Sequence, residues 1–199
     1  MDQPGVTTSP IQLISGKSDF CQTFFQDARV EKRDVVGPWN GGWTVGKRLL
    51  QHERQGIAKM GVTARKEITL RDRARELLET RDGRIADGVL RDRIAAAEMQ
   101  KHAMQATTRR VGDEAKGGGD VSTTSSILKL LSSEIGQERS ELLIEMMGTQ
   151  GFGWEGDAFS EQEIATTRGW LRSKAQTIEG GSSEVQLNII AKRVLGLPD

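Results

Sequence analysis

The sequence predicts a mainly helical fold, an up-down helical bundle preceded by a short N-terminal β-pair. From residue 43 onward, apolar residues recur at three- and four-residue steps, which places their side chains on one face of a helix. Ser160-Glu161-Gln162-Glu163 and Ser183-Glu184-Val185-Gln186 have the S-x-x-E/Q spacing of a capping box at a helix start. Residues 1–37 instead favour strands, and this contrast divides the chain into a β-pair and a bundle.

The β-pair is predicted from residues 10–14 and 20–30, which alternate or cluster β-favouring residues on either side of a turn at residues 15–18. Two short strands are marginal in water by themselves. We therefore expect this hairpin to pack against other structure rather than to form a domain of its own.

The first predicted helix, residues 43–60, has one charged residue on its apolar face. Its face is formed by Gly46, Leu49, Leu50, Glu53, Ile57 and Met60. An ionised carboxylate is costly to bury, so Glu53 should pair with Lys47 or Arg48, lie at the edge of a cleft, or have a raised pKa. A raised pKa in a cleft suits a general base, so both a structural and a catalytic interpretation of Glu53 are open.

Further helices are predicted at residues 70–80, 89–110, 123–147 and 160–175, with a glycine-rich loop at residues 112–122. The apolar face of the longest is Ile127, Leu131, Ile135, Leu142 and Met146. His102 lies four residues after Glu98, but His52 is the only other histidine, so no metal site is predicted.

Residues 176–198 combine two glycines, Gly180 and Gly181, with a capped helix start. The helix should place Leu187, Ile190, Ala191 and Val194 on one face and end near Gly196 and Pro198. Bare backbone leading into a helix N-terminus favours a phosphate or a developing oxyanion. A tight turn into a surface helix is the alternative interpretation.

Composition limits the classes of partner. The chain has 199 residues, with 28 Lys plus Arg and 28 Asp plus Glu. The formal net charge is therefore zero and does not favour nucleic acid or an anionic membrane as a partner. No apolar run approaches the roughly 20 residues of a membrane span. The single cysteine, Cys21, cannot form an internal disulfide and no leader peptide is recognised, so we expect a cytoplasmic protein.

Several segments resemble the acyl-CoA dehydrogenase family in the family's own order. QTIEGGSSEVQLNIIAKRVLGLP, residues 176–198, is similar to its C-terminal signature, and Leu50-Gln51-His52-Glu53-Arg54 matches its L-x-x-E-R segment. PGVTTSPI, FCQTFFQDARV and VVGPWNGGW resemble its closing β-strands and linker. The resemblance covers the second half of a typical member, and it implies a remnant of the middle β-domain at 1–40 and a C-terminal helical domain at 41–199.

The resemblance implies a reaction and a set of site residues. The reaction is the FAD-dependent α,β-dehydrogenation of an acyl-CoA thioester, with electron-transfer flavoprotein as acceptor. Glu53 would be the base, with Glu179 as the second choice, and the Gly180 backbone N–H would bind the thioester oxygen. The implied substrate-binding residues are Gln51, His52, Arg54, Gly180 and Gly181, and the implied flavin-binding residues are Ser182, Ser183 and Glu184.

The chain also departs from the family. Glu145 and Thr149 replace a glutamine and a glycine of a flavin-binding segment, and the R-x-x-F-G segment that reaches a neighbouring subunit's flavin is not found. A chain of this length lacks the domains that hold the flavin ring, so by itself it should not retain FAD tightly. Several alternatives stay open: a subunit of a divided enzyme in a homo- or hetero-oligomer, a truncated product, a non-catalytic oligomerisation module, or an acyl-CoA oxidase or flavin monooxygenase.

Overall fold

The computed structural model describes residues 2–50, 69–119, 121 and 124–198. By their contacts, residues fall into two compact units, Met1–Gln55 and Gly56–Asp199. The predicted mainly helical class with a short N-terminal β-pair is confirmed. No helix in the described part of the chain combines the length and the apolar character that crossing a membrane requires.

The first unit contains an antiparallel hairpin. Strand β1, Val6–Ile11, pairs with β2, Phe20–Phe25, from Val6 opposite Phe25 to Ile11 opposite Phe20. The predicted strands were misplaced: the first begins earlier than residue 10, and the second ends before residue 30. Pro10 lies within β1, which is possible because a two-stranded sheet consists of edge strands only. Helix α1 is described over residues 42–50.

The second unit contains the bundle. Its helices are α2, Leu70–Leu77; α3, Gly88–Lys116; α4, Thr124–Met147; α5, Glu161–Ser173; and α6, Ser183–Ile189. A short hairpin with two residues in each strand, β3 Thr80–Arg81 and β4 Arg84–Ile85, lies between α2 and α3. A 3-10 segment, Lys174–Thr177, follows α5, and a π-helical segment, Ile190–Val194, follows α6.

Helix α3 shows where local signals and the fold disagree. The predicted loop began at residue 112, but α3 continues through Gly112 to Lys116 and ends at Gly117. One glycine inside a helix costs only about 1 kcal/mol, which a helix of 29 residues tolerates. The helix starts as its sequence predicts, because the Asp87 carboxylate caps it by accepting a hydrogen bond from the Leu90 N–H at 2.9 Å.

The apolar core of the bundle lies where α2, the short hairpin, α3 and α4 meet. It consists of Leu70, Ala74, Ile85, Leu90, Ile94, Ala97, Leu142 and Met146. Helix α4 contributes Leu142 and Met146 from its C-terminal half, as its predicted apolar face requires. Farther toward its N-terminus, however, its buried residues include Ser126 and Ser133, whereas Ile127 is only half-buried.

Helix α4 therefore has a second packing face, which is polar. We define the polar stripe of α4 as Ser126, Lys129, Ser133, Gln137 and Glu141, which recur every three or four residues. The segment from Ser173 to Gln186 packs along this helix, and α6 contacts it as well. This arrangement determines where the paired glycines lie.

Candidate functional site

The candidate site in the described residues is the glycine turn, residues 179–182, between the 3-10 segment and α6. Gly180 has φ +68° and Gly181 has φ +100°, a region that side chains beyond glycine seldom adopt. A Cβ atom at Gly181 would lie 2.6 Å from Gln186 Nε2. The two glycines are therefore required both by backbone conformation and, at Gly181, by close approach of a side chain.

Gln186 holds the turn through its side-chain amide. This side chain is 2 % exposed, and Nε2 donates to the carbonyl oxygens of Gly180 at 3.3 Å and Gly181 at 3.4 Å. Both bonds use carbonyl groups of the turn. Within the described part of the chain the Gly180 N–H makes no hydrogen bond, which leaves it able to donate to a ligand oxygen.

The helix cap differs from the prediction. Ser182, not Ser183, is the N-cap of α6, and its hydroxyl oxygen accepts a hydrogen bond from the Val185 N–H at 3.4 Å. Gln186 cannot complete a capping box because its amide group is directed to the two glycine carbonyls. The predicted N-cap was therefore wrong by one residue and the predicted box at Ser183 does not form, whereas the box formed by Ser160 and Glu163 is confirmed.

The two carboxylates of this region have separate partners. Glu179, whose side chain is 47 % exposed, pairs with Arg172 through an Nη2–Oε2 distance of 2.8 Å. A hydrogen bond with the Ser182 hydroxyl is the main cause that lowers the pKa of Glu184, with the Glu184 backbone N–H as a second. Glu184 is therefore an anion at neutral pH, and the Ser182 hydroxyl is already in use.

The segment leading into the turn is fixed to α4 by polar contacts. Gln137 Nε2 donates to Ser173 O at 3.2 Å, to Lys174 O at 3.3 Å and to Thr177 Oγ1 at 2.9 Å. Glu141 pairs with Lys174, whose ammonium also lies 5.1 Å from the centroid of the Trp170 ring. These contacts fix the backbone of residues 173–177 and, through it, the start of the turn.

Several polar atoms of α4 and α6 are buried without a hydrogen-bond partner among the described residues. They include Lys129 Nζ, Ser183 Oγ and Gln186 Oε1. Such atoms are rare in native proteins, and a group from outside the described residues is one common explanation for them. The Ser183 hydroxyl thus lacks the kind of partner that the Ser182 hydroxyl has in the Val185 N–H.

Glu145 on α4 has a cationic partner on another helix. Arg93 on α3 contacts Glu145 Oε2 at 2.5 Å and Glu138 Oε1 at 3.3 Å. The hydrogen bond to Glu145 is the main cause that raises the pKa of Arg93. The Glu145 carboxylate therefore takes part in a contact between α3 and α4. Sequence spacing did not predict this contact because 52 residues separate the two partners.

The predicted site residues fall into two groups along the chain. Glu53, Gln51, His52 and Arg54 fall within residues 51–68, outside the described residues, so their predicted roles remain predictions. Gly180, Gly181, Ser182, Ser183 and Glu184 are consecutive and lie in the glycine turn and the start of α6. In the described ranges no three His, Cys, Asp or Glu side chains are grouped closely enough to hold a metal ion.

Sequence reasoning missed Arg172 and Gln186 as residues that contact the turn. A usable signal was present, because polar residues of α4 recur at helical spacing on the side away from its apolar face. Polar residues at helical spacing inside a bundle require polar partners.

Comparison with known proteins identifies the family of this fold. Residues 40–195 match the family model described as acyl-CoA dehydrogenase, C-terminal domain. The chain is 36 % identical over 201 residues to acyl-CoA dehydrogenase IpdE1 of Mycolicibacterium smegmatis, covering all of this chain and 47 % of that protein. It is 28 % identical to acyl-CoA dehydrogenase FadE34 of Mycobacterium tuberculosis, of which it covers 26 %. The chain thus spans at most about half the length of these relatives.

Solved structures show the same fold. The Tcur3481-Tcur3483 steroid ACAD superposes with a TM-score of 0.80 at 23 % identity, covering 99 % of this chain and 50 % of that one. The ChsE4-ChsE5 complex from Mycobacterium tuberculosis gives a TM-score of 0.73 at 21 % identity, covering 98 % and 50 %. With the family model matching most of its residues, the chain belongs to the acyl-CoA dehydrogenase family and contains that family's C-terminal domain.

Proposed function

We propose that this chain is the C-terminal part of a flavin-dependent acyl-CoA dehydrogenase, active when residues equivalent to the family's first half complete it. The observation that carries this proposal is the glycine turn. Its Gly180 N–H makes no hydrogen bond to a described residue, while Gln186 fixes both neighbouring carbonyl groups. A preorganised N–H donor is what the developing charge on a thioester oxygen requires.

The proposed chemistry divides between two segments. Glu53 removes the weakly acidic proton next to the thioester carbonyl, and the Gly180 N–H donates to the carbonyl oxygen as negative charge develops there. Gln51, His52 and Arg54 are proposed neighbours of the acyl group. Glu179 is the second choice of base, and its ion pair with Arg172 argues against it because one carboxylate oxygen is already engaged.

The residues at the start of α6 fit a flavin cofactor in part. Ser183 offers a buried hydroxyl without a partner among the described residues, whereas Ser182 and Glu184 bond to each other and the Ser182 oxygen also caps α6. We therefore assign Ser183 as the cofactor contact and Ser182 and Glu184 as its support. When bound, FAD would accept a hydride from the substrate.

Exposed apolar surface supports the need for a completing partner. In the first unit, Phe20, Phe24 and Phe25 on β2 are exposed. In the second unit, exposed apolar side chains follow the glycine turn, namely Val185, Leu187, Val194, Leu195 and Leu197. Apolar surface concentrated in this way is typical of protein interfaces. We assign residues 1–40 to the middle β-domain and propose a homo- or hetero-oligomer.

The proposal extends to the cellular role. Oxidation of acyl-CoA thioesters belongs to lipid metabolism, in the cytoplasm, with electron-transfer flavoprotein as the acceptor. A non-catalytic oligomerisation module is the alternative, and it predicts a folded complex that binds no flavin.

The experiment is co-expression of the full chain with a polypeptide corresponding to the first half of the family, followed by a flavin spectrum of the purified complex. We expect a yellow complex whose flavin absorbance bleaches on addition of an acyl-CoA. Straight-chain and ring-bearing acyl-CoA are compared, since one solved relative is named a steroid ACAD. A stable complex without flavin would support the oligomerisation module and refute the proposal.

The base is tested in the same complex by Glu53→Gln, Glu179→Gln and the exposed control Glu155→Gln. Loss of a general base typically costs about 10² to 10⁴ in rate. We expect this loss for Glu53→Gln alone. Loss in Glu179→Gln, with full activity in Glu53→Gln, would reverse the assignment.

A further inference from the structure

The hairpin of β1 and β2 is antiparallel, so the backbone groups of successive residues alternate between facing the partner strand and facing outward. One position before the Val6–Phe25 pair, the Gln26 N–H donates to the Gly5 carbonyl at 2.7 Å, which makes these two residues a hydrogen-bonded pair. The next pair therefore faces outward, and so does every second pair after it. The outward residues are Val6, Thr8 and Pro10 on β1 and Phe25, Thr23 and Cys21 on β2.

The outer edge of β1 is poorly suited to pairing with a further strand. At one end of β1, the Val6 N–H already donates to the Gln3 carbonyl at 3.3 Å. At the other end, Pro10 has no N–H, and proline within a sheet is confined to positions where the N–H would face away from a partner strand. Two of the three outward positions of β1 therefore cannot donate to an added strand.

The outer edge of β2 has no such obstacle. Cys21, Thr23 and Phe25 each direct an N–H outward, and in the part of the chain that the structure describes none of the three donates it to another residue. Their carbonyl groups point the same way, so donors and acceptors alternate along this edge. An extended segment that adds to a sheet pairs with main-chain groups arranged in this way.

The side chains of the two strands differ in the same sense. Phe24 and Phe25 point to opposite faces of the hairpin, because side chains alternate along a strand, and they are 52 % and 72 % exposed. Apolar side chains on both faces suit a strand inside a sheet that is covered on both sides. Between Val6 and Ile11, by contrast, β1 consists of threonine, serine and proline, which suits an edge strand.

We infer that β2 is an inner strand of a larger sheet, and that its outer edge pairs with a β-strand from the residues equivalent to the family's first half. The inference rests on the proposed function, in which those residues complete the chain. The chain spans at most about half the length of its relatives, so about half of each relative lies outside the part that it matches. The match to the C-terminal domain begins at residue 40, which leaves the hairpin outside that domain and next to the family's first half in sequence order.

The first test is residue-resolved hydrogen exchange on the isotope-labelled full chain, alone and in complex with an unlabelled polypeptide corresponding to the family's first half. We expect the amides of Cys21, Thr23 and Phe25 to exchange at least about tenfold more slowly in the complex, because they become donors to the added strand. The Thr8 amide should change less than about twofold. Thr8 is the matched control because it lies opposite Thr23 and faces outward from β1.

Slower exchange at Thr8 instead of Thr23, or equal slowing at both, would overturn the assignment of β2 as the docking edge. Slow exchange at Cys21, Thr23 and Phe25 in the chain alone would overturn the assigned partner. In that case, slowing that grows with chain concentration would identify a second copy as the partner. Slowing that does not depend on concentration would identify a segment of the same chain.

The second test compares Thr23→Pro with Thr8→Pro. Each substitution removes one outward N–H and leaves the hydrogen bonds between β1 and β2 in place, because neither N–H faces the other strand. We expect Thr23→Pro to raise the Kd of the complex at least about tenfold, and Thr8→Pro to change it less than about twofold. Equal Kd values for the two variants would overturn the inference. If Thr23→Pro does not fold, the exchange test decides, since it needs no substitution.

The flavin content of the purified complex separates this inference from the proposed function. A complex that shows the expected protection but binds no flavin supports pairing at β2 and refutes the proposed function. A yellow complex with protection at Thr8 instead of Thr23 supports the proposed function and refutes pairing at β2. Failure of the two polypeptides to associate would refute both.

Discussion

The two faces of α4 differ in what they stabilise. One face places Leu142 and Met146 in the apolar core with α2 and α3. The other uses Gln137 and Glu141 to bind backbone and side chains of the segment before the glycine turn. Apolar contacts are strong but not directional, whereas hydrogen bonds are directional and contribute less. The apolar face therefore stabilises the bundle, and the polar face determines where the turn lies.

The largest effect is expected for Leu142→Ala on the apolar face. Leu142 is 0 % exposed, so truncation leaves a cavity in the core and should lower the free energy of unfolding by about 2–5 kcal/mol. Urea denaturation of the full chain measures this loss. Leu77→Ala, at an exposed leucine of α2, is the matched control and should cost less than about 0.5 kcal/mol. Equal losses in both variants would contradict a core centred on α2, α3 and α4.

A smaller and more local effect is expected for Gln137→Ala on the polar face. The substitution removes the donor to Ser173 O, Lys174 O and Thr177 Oγ1, and should cost about 1–3 kcal/mol. Hydrogen exchange should accelerate at residues 173–186 before it does so in α3. Gln105→Ala, on the exposed side of α3, is the control. Uniform acceleration across the bundle would show that the two faces do not act separately.

The smallest effect is expected on stability at acidic pH. The hydrogen bond with Lys174 is the main cause that lowers the pKa of Glu141 below its ordinary 4.5, and burial acts against it. A carboxylate with a lowered folded pKa stabilises the fold above its unfolded value, and this contribution is lost as pH falls through the folded pKa. Because both side chains are partly exposed, the contribution is about 0–1 kcal/mol.

This acid effect is measured as the difference in unfolding free energy between about pH 6 and about pH 3. We expect the difference to be smaller in Glu141→Gln than in the unaltered chain, because the amide does not titrate. Glu155→Gln, in an exposed loop, is the control. A steeper loss of unfolding free energy with falling pH in Glu141→Gln than in the unaltered chain would contradict a stabilising role for the ionised Glu141.

The sequence by itself determined the features that depend on neighbouring residues. Helical spacing predicted the bundle, Ser160 and Glu163 predicted a capping box, and the segment at 176–198 predicted the glycine turn and the family. Local signals failed where competing groups were close in sequence. Ser182 caps α6 instead of Ser183 because Gln186 is drawn to the carbonyls of Gly180 and Gly181.

Only the tertiary structure decided which groups meet across the bundle. Glu145 meets Arg93 and Gln137 meets Thr177, although 40 or more residues separate the members of each pair. Helical spacing shows that side chains share a face, but it does not show which segment packs against that face. That choice depends on the connections and packing of the whole bundle, and it is what places the polar stripe of α4 beside the segment before the turn.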